Sequence, residues 1–182
     1  LKLTDSIPIP ISTISSDRNP DGTMDPFNAF SFIGAFYAFN EIKQSKMLNR
    51  FEMQPRLLDC GVIGYDLSFQ YECIAQEKSS LGLAILAGQT STHTLATLEG
   101  LYYNKLKTPV LGSRNASSVL SSKLKYPNYV RTSQTALSVT PNIVQFLNIY
   151  SYKKVNLFYS GEAYGRDIYY YMKEAMESSH IE

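Results

Sequence analysis

Residues 155–178 read VNLFYSGEAYGRDIYYYMKEAMES, and the order of residue types in them decides the fold. The first five residues are an apolar run rich in β-formers. Ser160, Gly161 and Gly165 interrupt it, and Ile168, Tyr169, Met172, Ala175 and Met176 then recur at helical spacing. Strand, tight loop and helix in that order are half of a βαβ unit. Such units build parallel sheets whose ligand sites lie at the strands' carboxyl ends. Tyr164 stands in the loop between two glycines and marks it as one wall of a binding cleft.

Working outward, the same alternation fills the chain. A run with Pro8 and Pro10 over residues 3–11 predicts an edge or terminal strand, because proline cannot donate to a ladder. Asp25-Pro26 opens a helix to about residue 46, with aspartate as cap and proline in the first helical position. Its phenylalanines fall on two faces, which predicts burial on two sides. Strands are expected over 56–67, 81–87, 108–111, 129–132 and 155–159, and helices over 69–78, from about 94, and over 140–150 with Thr140 as cap. The continuous apolar run 81–87 suits a parallel strand buried on both faces. This is an α/β doubly wound pattern. The final helix, with no strand after it, implies a fragment.

The chain has 182 residues, 44% hydrophobic and 18% charged, as a globular protein does, and a net charge of +1. That charge gives no electrostatic case for nucleic acid or for an acidic membrane surface. The apolar run 27–39 falls short of the roughly 20 residues a spanning helix needs and reads as a core helix. No signal-peptide pattern is visible. Cys60 and Cys73 are the only cysteines. The mostly extended reading of the segment between them argues against a local bridge, and pairing outside this chain stays open. His93 and His180 have no Asp, Glu or Cys at ligand spacing, so no metal is expected, and no cofactor motif occurs.

Several segments together resemble the extracellular ligand-binding region of class C G-protein-coupled receptors and natriuretic-peptide-type guanylyl cyclase receptors, a module related to type I periplasmic binding proteins. They are Gly64-Tyr65-Asp66, Gly88-Gln89-Thr90-Ser91-Thr92, Leu120-Ser121 with Lys125-Tyr126-Pro127, Arg131-Thr132, Tyr159-Ser160 and Tyr164-Gly165. The resemblance implies a two-lobed clamshell with parallel sheets, here truncated. Residues 1–131 would form the first lobe, and 132–182 the crossover and start of the second. It implies a homo- or heterodimer formed through the first lobe, a place on the extracellular face of the cell membrane, and membrane attachment only through segments outside this chain.

Three places carry the expected site. Thr90, Ser91 and Thr92 lie at a helix start, where free N–H groups and hydroxyls suit a carboxylate; plain helix capping is the alternative. Tyr164 offers a flat ring and a hydroxyl, or simply packs over its turn. Arg114-Asn115-Ala116 stands where amino-acid-sensing relatives carry a small Ser-Thr pair, so Arg114 either favours an acidic ligand or is a solvated loop residue, and Asn115 lies beside it. Ala136 replaces an acidic residue, which leaves a ligand's ammonium group without its counter-charge. Asn115-Ala116-Ser117 is also a glycosylation sequon, and a glycan there would block the cleft mouth. Glu162, Arg166 and Asp167 ring the Tyr164 loop as solvated or capping residues. The expected function is a sensor that closes on a small molecule or peptide and has no catalysis of its own. The alternatives are a soluble periplasmic-type solute-binding protein, a nucleotide- or sugar-phosphate-using enzyme, and a degenerate sensor that only dimerises.

Overall fold

The structure, a computed structural model, describes residues 7–15, 21, 23, 26–48, 50–59, 68–79, 81–87 and 90–182. Gly64-Tyr65-Asp66, Gly88, Gln89 and the cap Asp25 lie outside them. Five strands form one all-parallel sheet in the order β2-β1-β3-β4-β5. They are β1 (Ile7–Ser15), β2 (Phe51–Asp59), β3 (Ala84–Ala87), β4 (Val110–Gly112) and β5 (Tyr129–Arg131). Between them run α1 (Pro26–Gln44), α2 (Ser68–Glu77) and α3 (Ser91–Tyr103), and after them come α4 (Ala136–Ile149) and α5 (Ala163–Ser178). This doubly wound order reverses direction between β1 and β3, and ligands of such sheets bind at the carboxyl ends beside that reversal.

Apolar residues close two separate cores. The first joins Ile14 of β1, Leu58 of β2, Ile85 and Ala87 of β3 and Val110 of β4 to Ile74, Leu98 and Leu101 of α2 and α3. The second joins Val144 of α4 to Met172 and Met176 of α5 and to Ile181, with Val155 and Leu157 packed on them. α3, α4 and α5 each end with a residue at positive φ, Lys105, Ser151 and His180. The following residue bonds back to a carbonyl of the last turn (Leu106 to Leu101, Tyr152 to Leu147, Ile181 to Met176), which satisfies acceptors that helix ends leave free.

Several expectations need correction. β1 is not an edge strand, since it lies between β2 and β3. The ladder with β3 begins only opposite Ile11. Strand alternation turns Pro8 and Pro10 toward that side, so their missing N–H groups fall outside the ladder. The edge strands are β2, with Pro55 inside it, and β5. Helix α4 starts at Ala136 rather than at residue 140. The side chain of Thr135 accepts from Ser138 N, the Ser138 hydroxyl bonds back to Thr135 N, and this box outweighs the Pro141 signal. Helix α1 is not buried on two sides: Phe30 is 68% exposed, and Ile33, Phe36 and Tyr37 are exposed with it. Residues 155–159 form no strand of the sheet. Their neighbourhood is tied instead to the chain's last residue, with Val155 N–H donating to Glu182 O at 2.7 Å and Glu182 N–H to Lys153 O at 2.9 Å, the pattern of one parallel bridge. Without a further ladder, Phe158 is 94% exposed, whereas Met172 is buried.

Cys73 is disulfide-bonded, and Cys60, the one other cysteine of the chain, lies outside the described residues. The extended-chain argument against a local bridge therefore fails. Residues from Ser68 onward are already helical, and a helix advances about 1.5 Å per residue where a strand advances about 3.3 Å.

Gly112, the last residue of β4, sets how closely the following loop can approach the sheet. A Cβ there would overlap the side-chain oxygens of both Asn115 and Tyr129, and Asn115 and Tyr129 are themselves buried. Gly112→Ala should destabilise the fold by about 1–3 kcal/mol, the usual cost of overpacking. A urea titration followed by far-ultraviolet circular dichroism would show it as a lowered midpoint, and an unchanged midpoint would mean that the loop yields freely.

Candidate functional site

The carboxyl ends of β3, β4 and β5 lead into three polar segments: Thr90 with the start of α3, residues 113–121, and residues 132–135. The amino end of α5 lies on the first two. Thr90 caps α3, its side chain accepting from His93 N and sharing a 2.7 Å hydrogen bond with His93 Nδ1. Ser91 is buried, and its Oγ accepts from Ser117 N at 3.0 Å. Thr92 faces α5: its Oγ1 accepts from Ala163 N at 3.3 Å and donates over a long 3.5 Å to Glu162 Oε2. Glu162 caps α5, taking Gly165 N–H at 3.0 Å on its other carboxylate oxygen. Gly165 has to be glycine, because a Cβ would overlap the Ser160 carbonyl.

A second link crosses the same seam. One carboxylate oxygen of Asp167, in the second turn of α5, accepts from Ser117 Oγ at 2.8 Å and from Ser118 N at 2.6 Å. Charge-assisted bonds of this kind are about twice as strong as neutral ones. The loop that supplies the donors is held from behind. Arg131 Nη1 donates to the carbonyls of Asn115 at 3.2 Å and Ser117 at 2.7 Å, and Nη2 donates to Ser121 Oγ. Asn115 is fully buried and donates its side-chain N–H to Thr94 Oγ1 at 2.7 Å. Its amide is therefore out of reach of glycosylation in the folded chain. Arg114, one residue earlier, is exposed, and Tyr164 is 36% exposed at the start of α5. Ala136 is buried, with its N–H on Ala116 O at 2.9 Å.

The Thr90–Thr92 turn and the Tyr164 helix start, far apart in sequence, thus meet at one seam. Thr92 bonds directly to α5, Ser91 and Asn115 build the interior of the seam, and Thr90, Arg114 and Tyr164 reach its surface. Ser117, Ser118 and Arg131 escaped the sequence reading as functional residues, and Asp167 was read only as a solvated or capping group. Asp167 does cap, but it caps a segment 49 residues away, and nothing local in the sequence marks such a pairing. Among the described residues, no group of three or more His, Cys, Asp and Glu could hold a metal ion.

Residues 36–182 match the family model described as the receptor family ligand binding region. The chain belongs to that family. No curated protein matches it. Among solved structures, it is similar to an ABC transporter substrate-binding protein from Desulfitobacterium hafniense, at 14% identity and a TM-score of 0.70, over 97% of this chain and 48% of that one. The chain therefore spans about half the length of that structure, and the likeness extends the family match to the fold. Among the described residues, no helix of this ligand-binding region is long and apolar enough to cross a membrane.

Two outcomes are expected at the seam. Asp167→Ala removes a charged acceptor of two bonds, each worth about 1.5–3 kcal/mol. Faster hydrogen exchange at the Ser118 amide, with Ile85 in the core unchanged, would register its loss; equal exchange at Ser118 would mean that the bond adds nothing. Burial holds the pKa of His93 below its ordinary value, opposed by the charge of Glu162. The unfolded chain then binds the proton more readily, so stability falls as pH drops below about 6.5. Melting temperatures between pH 7.5 and 5 should show that decline, and His93→Gln should flatten it.

Proposed function

We propose that this ligand-binding region is the extracellular sensor domain of a transmembrane receptor, closing on a small molecule or peptide that carries an acidic group. The observation that supports it most is the meeting of Thr92 with Glu162 and Ala163 at the carboxyl end of the sheet. In this reading, residues 1–131 form the first lobe, and 132–182 the crossover and the start of the second. The two separate apolar cores favour such a division. Thr90, Thr92, Arg114 and Tyr164 touch the ligand, while Ser91 and Asn115 shape the wall behind them. A ligand that binds the closed arrangement better than the open one shifts the balance toward closure, and closure biases the downstream element. Dimerisation through the first lobe would carry that bias to a partner subunit. Since Ala136 supplies no counter-charge, a free α-amino group on the ligand is not required.

The likeness to a substrate-binding protein supports a second reading, a solute-binding protein without a membrane segment of its own. A transmembrane helix encoded in the full-length gene separates the two. The site itself is tested on the complete ectodomain. A thermal-shift screen of dicarboxylates, amino acids and acidic peptides selects a ligand, and calorimetry then compares wild type with Thr92→Ala and Tyr164→Ala. Losing one hydrogen bond to a charged group should weaken binding about ten- to a hundredfold. Equal affinity in both variants would sink the assignment.

A further inference from the structure

At the opposite end of the sheet, the segments that enter β4 and β5 enclose a groove of about 840 Å³. Its floor is apolar and closed: Leu98 and Tyr126 are buried, and Leu106 packs against the core. Its walls are apolar and open. Leu124 is 98% exposed and Tyr102 74% exposed, with the Tyr103 ring set edge-on to Tyr102 at 5.9 Å. Large apolar side chains exposed together around a concavity mark an interaction site more often than exposed single ones do, and the volume falls within the range of small-molecule pockets.

The rim is cationic. Lys105, Lys107 and Lys125 all line the groove. Glu99 is the acidic group beside it, and its carboxylate is already engaged by Tyr71 at 2.7 Å, Tyr126 at 3.4 Å and Lys125 at 3.4 Å. Among the described residues, Lys105 and Lys107 make no ion pair. The turn that ends α3 holds Lys105 in place, with Lys105 N–H on Tyr102 O and Leu106 N–H on Leu101 O. A net charge of +1 for the whole chain makes two unmatched ammonium groups at one groove a local excess. A second copy docked with these lysines close to the two-fold axis would set them against their own copies, which is repulsive.

We propose that this groove is a second binding site, for a small organic anion with an aromatic or acyl body. The apolar body lies on Leu98, Leu106 and Tyr126, against the wall of Tyr102 and Leu124, and the anionic group pairs with Lys105 and Lys107. The site is separate from the seam, because the lysines precede β4 whereas Thr90 follows β3.

Two probes that share their rings and differ in charge test it: anilinonaphthalene sulfonate and the uncharged N-phenylnaphthylamine. Both are titrated into the 182-residue chain by fluorescence, with backbone amide shifts recorded by NMR. The sulfonate should bind more tightly and shift amides of residues 102–107 and 124–128. The double variant Lys105→Asn, Lys107→Gln, with asparagine chosen because it tolerates positive φ, should weaken the sulfonate about tenfold or more, the scale of one charged contact, and leave the uncharged probe within about twofold. Leu124→Ser should weaken both. The proposal is overturned if the sulfonate keeps its affinity in the lysine variant or shifts amides elsewhere, such as around Phe146 and Ile149. It is also overturned if sedimentation shows a dimer that Leu124→Glu dissolves, since a second copy would then be the occupant.

Discussion

The contact between Asp167 and the Ser117-Ser118 step fixes how the two halves of this chain sit. Its carboxylate accepts a hydroxyl and a backbone N–H from a segment 49 residues earlier, at 2.6 Å for the shorter bond. Both donors are held by Arg131, which grips the carbonyls of Asn115 and Ser117 from behind, and by Ser91, whose hydroxyl takes Ser117 N–H. Arg131 ends β5, so the sheet's own register sets the position of the loop that α5 binds. The order of dependence runs from parallel register, to arginine, to loop, to helix. Thr92 adds a second point of attachment on the β3 side, and two points fix an orientation where one would leave a pivot.

What could be read from the sequence was the alternation of strand and helix, because it rests on local periodicity. The Ser68–Glu77 and Pro26–Gln44 helices follow directly from it. The errors came where local rules met long-range pairing. Pro8 and Pro10 argue for an edge strand only if the neighbour runs alongside them, and β3 starts too late to do so. Pro141 argues for a helix start, but the Thr135-Ser138 box had already begun one. The 155–159 segment has the composition of a strand, yet a strand exists only through its neighbours, and among the described residues Glu182 is its one backbone partner from outside.

The site was legible to the same depth. A run of three hydroxyl residues after a buried strand identifies a helix start, and Thr90 caps it. Tyr164 was placed by its glycines, of which Gly165 is needed for the close approach to Ser160. Asp167 could not have been assigned, because a carboxylate on a helix is usually solvated, and only tertiary geometry gives it two donors. The sequon at Asn115 shows the opposite failure: a motif that is complete in sequence but buried in the fold.

That geometry also bears on how an acidic ligand would compete for the seam. The donors there already bond to the protein's own carboxylates, Glu162 and Asp167. A ligand carboxylate that took their place would exchange one charge-assisted bond for another and gain little from the exchange itself. Discrimination would then come from Tyr164, whose ring the seam leaves partly exposed and whose apolar faces gain by being covered. The weak Thr92–Glu162 contact, long at 3.5 Å, yields at lower cost than the short bonds of Asp167. The contacts across the seam are thus graded, weaker beside the sheet's topological reversal and stronger at Asp167.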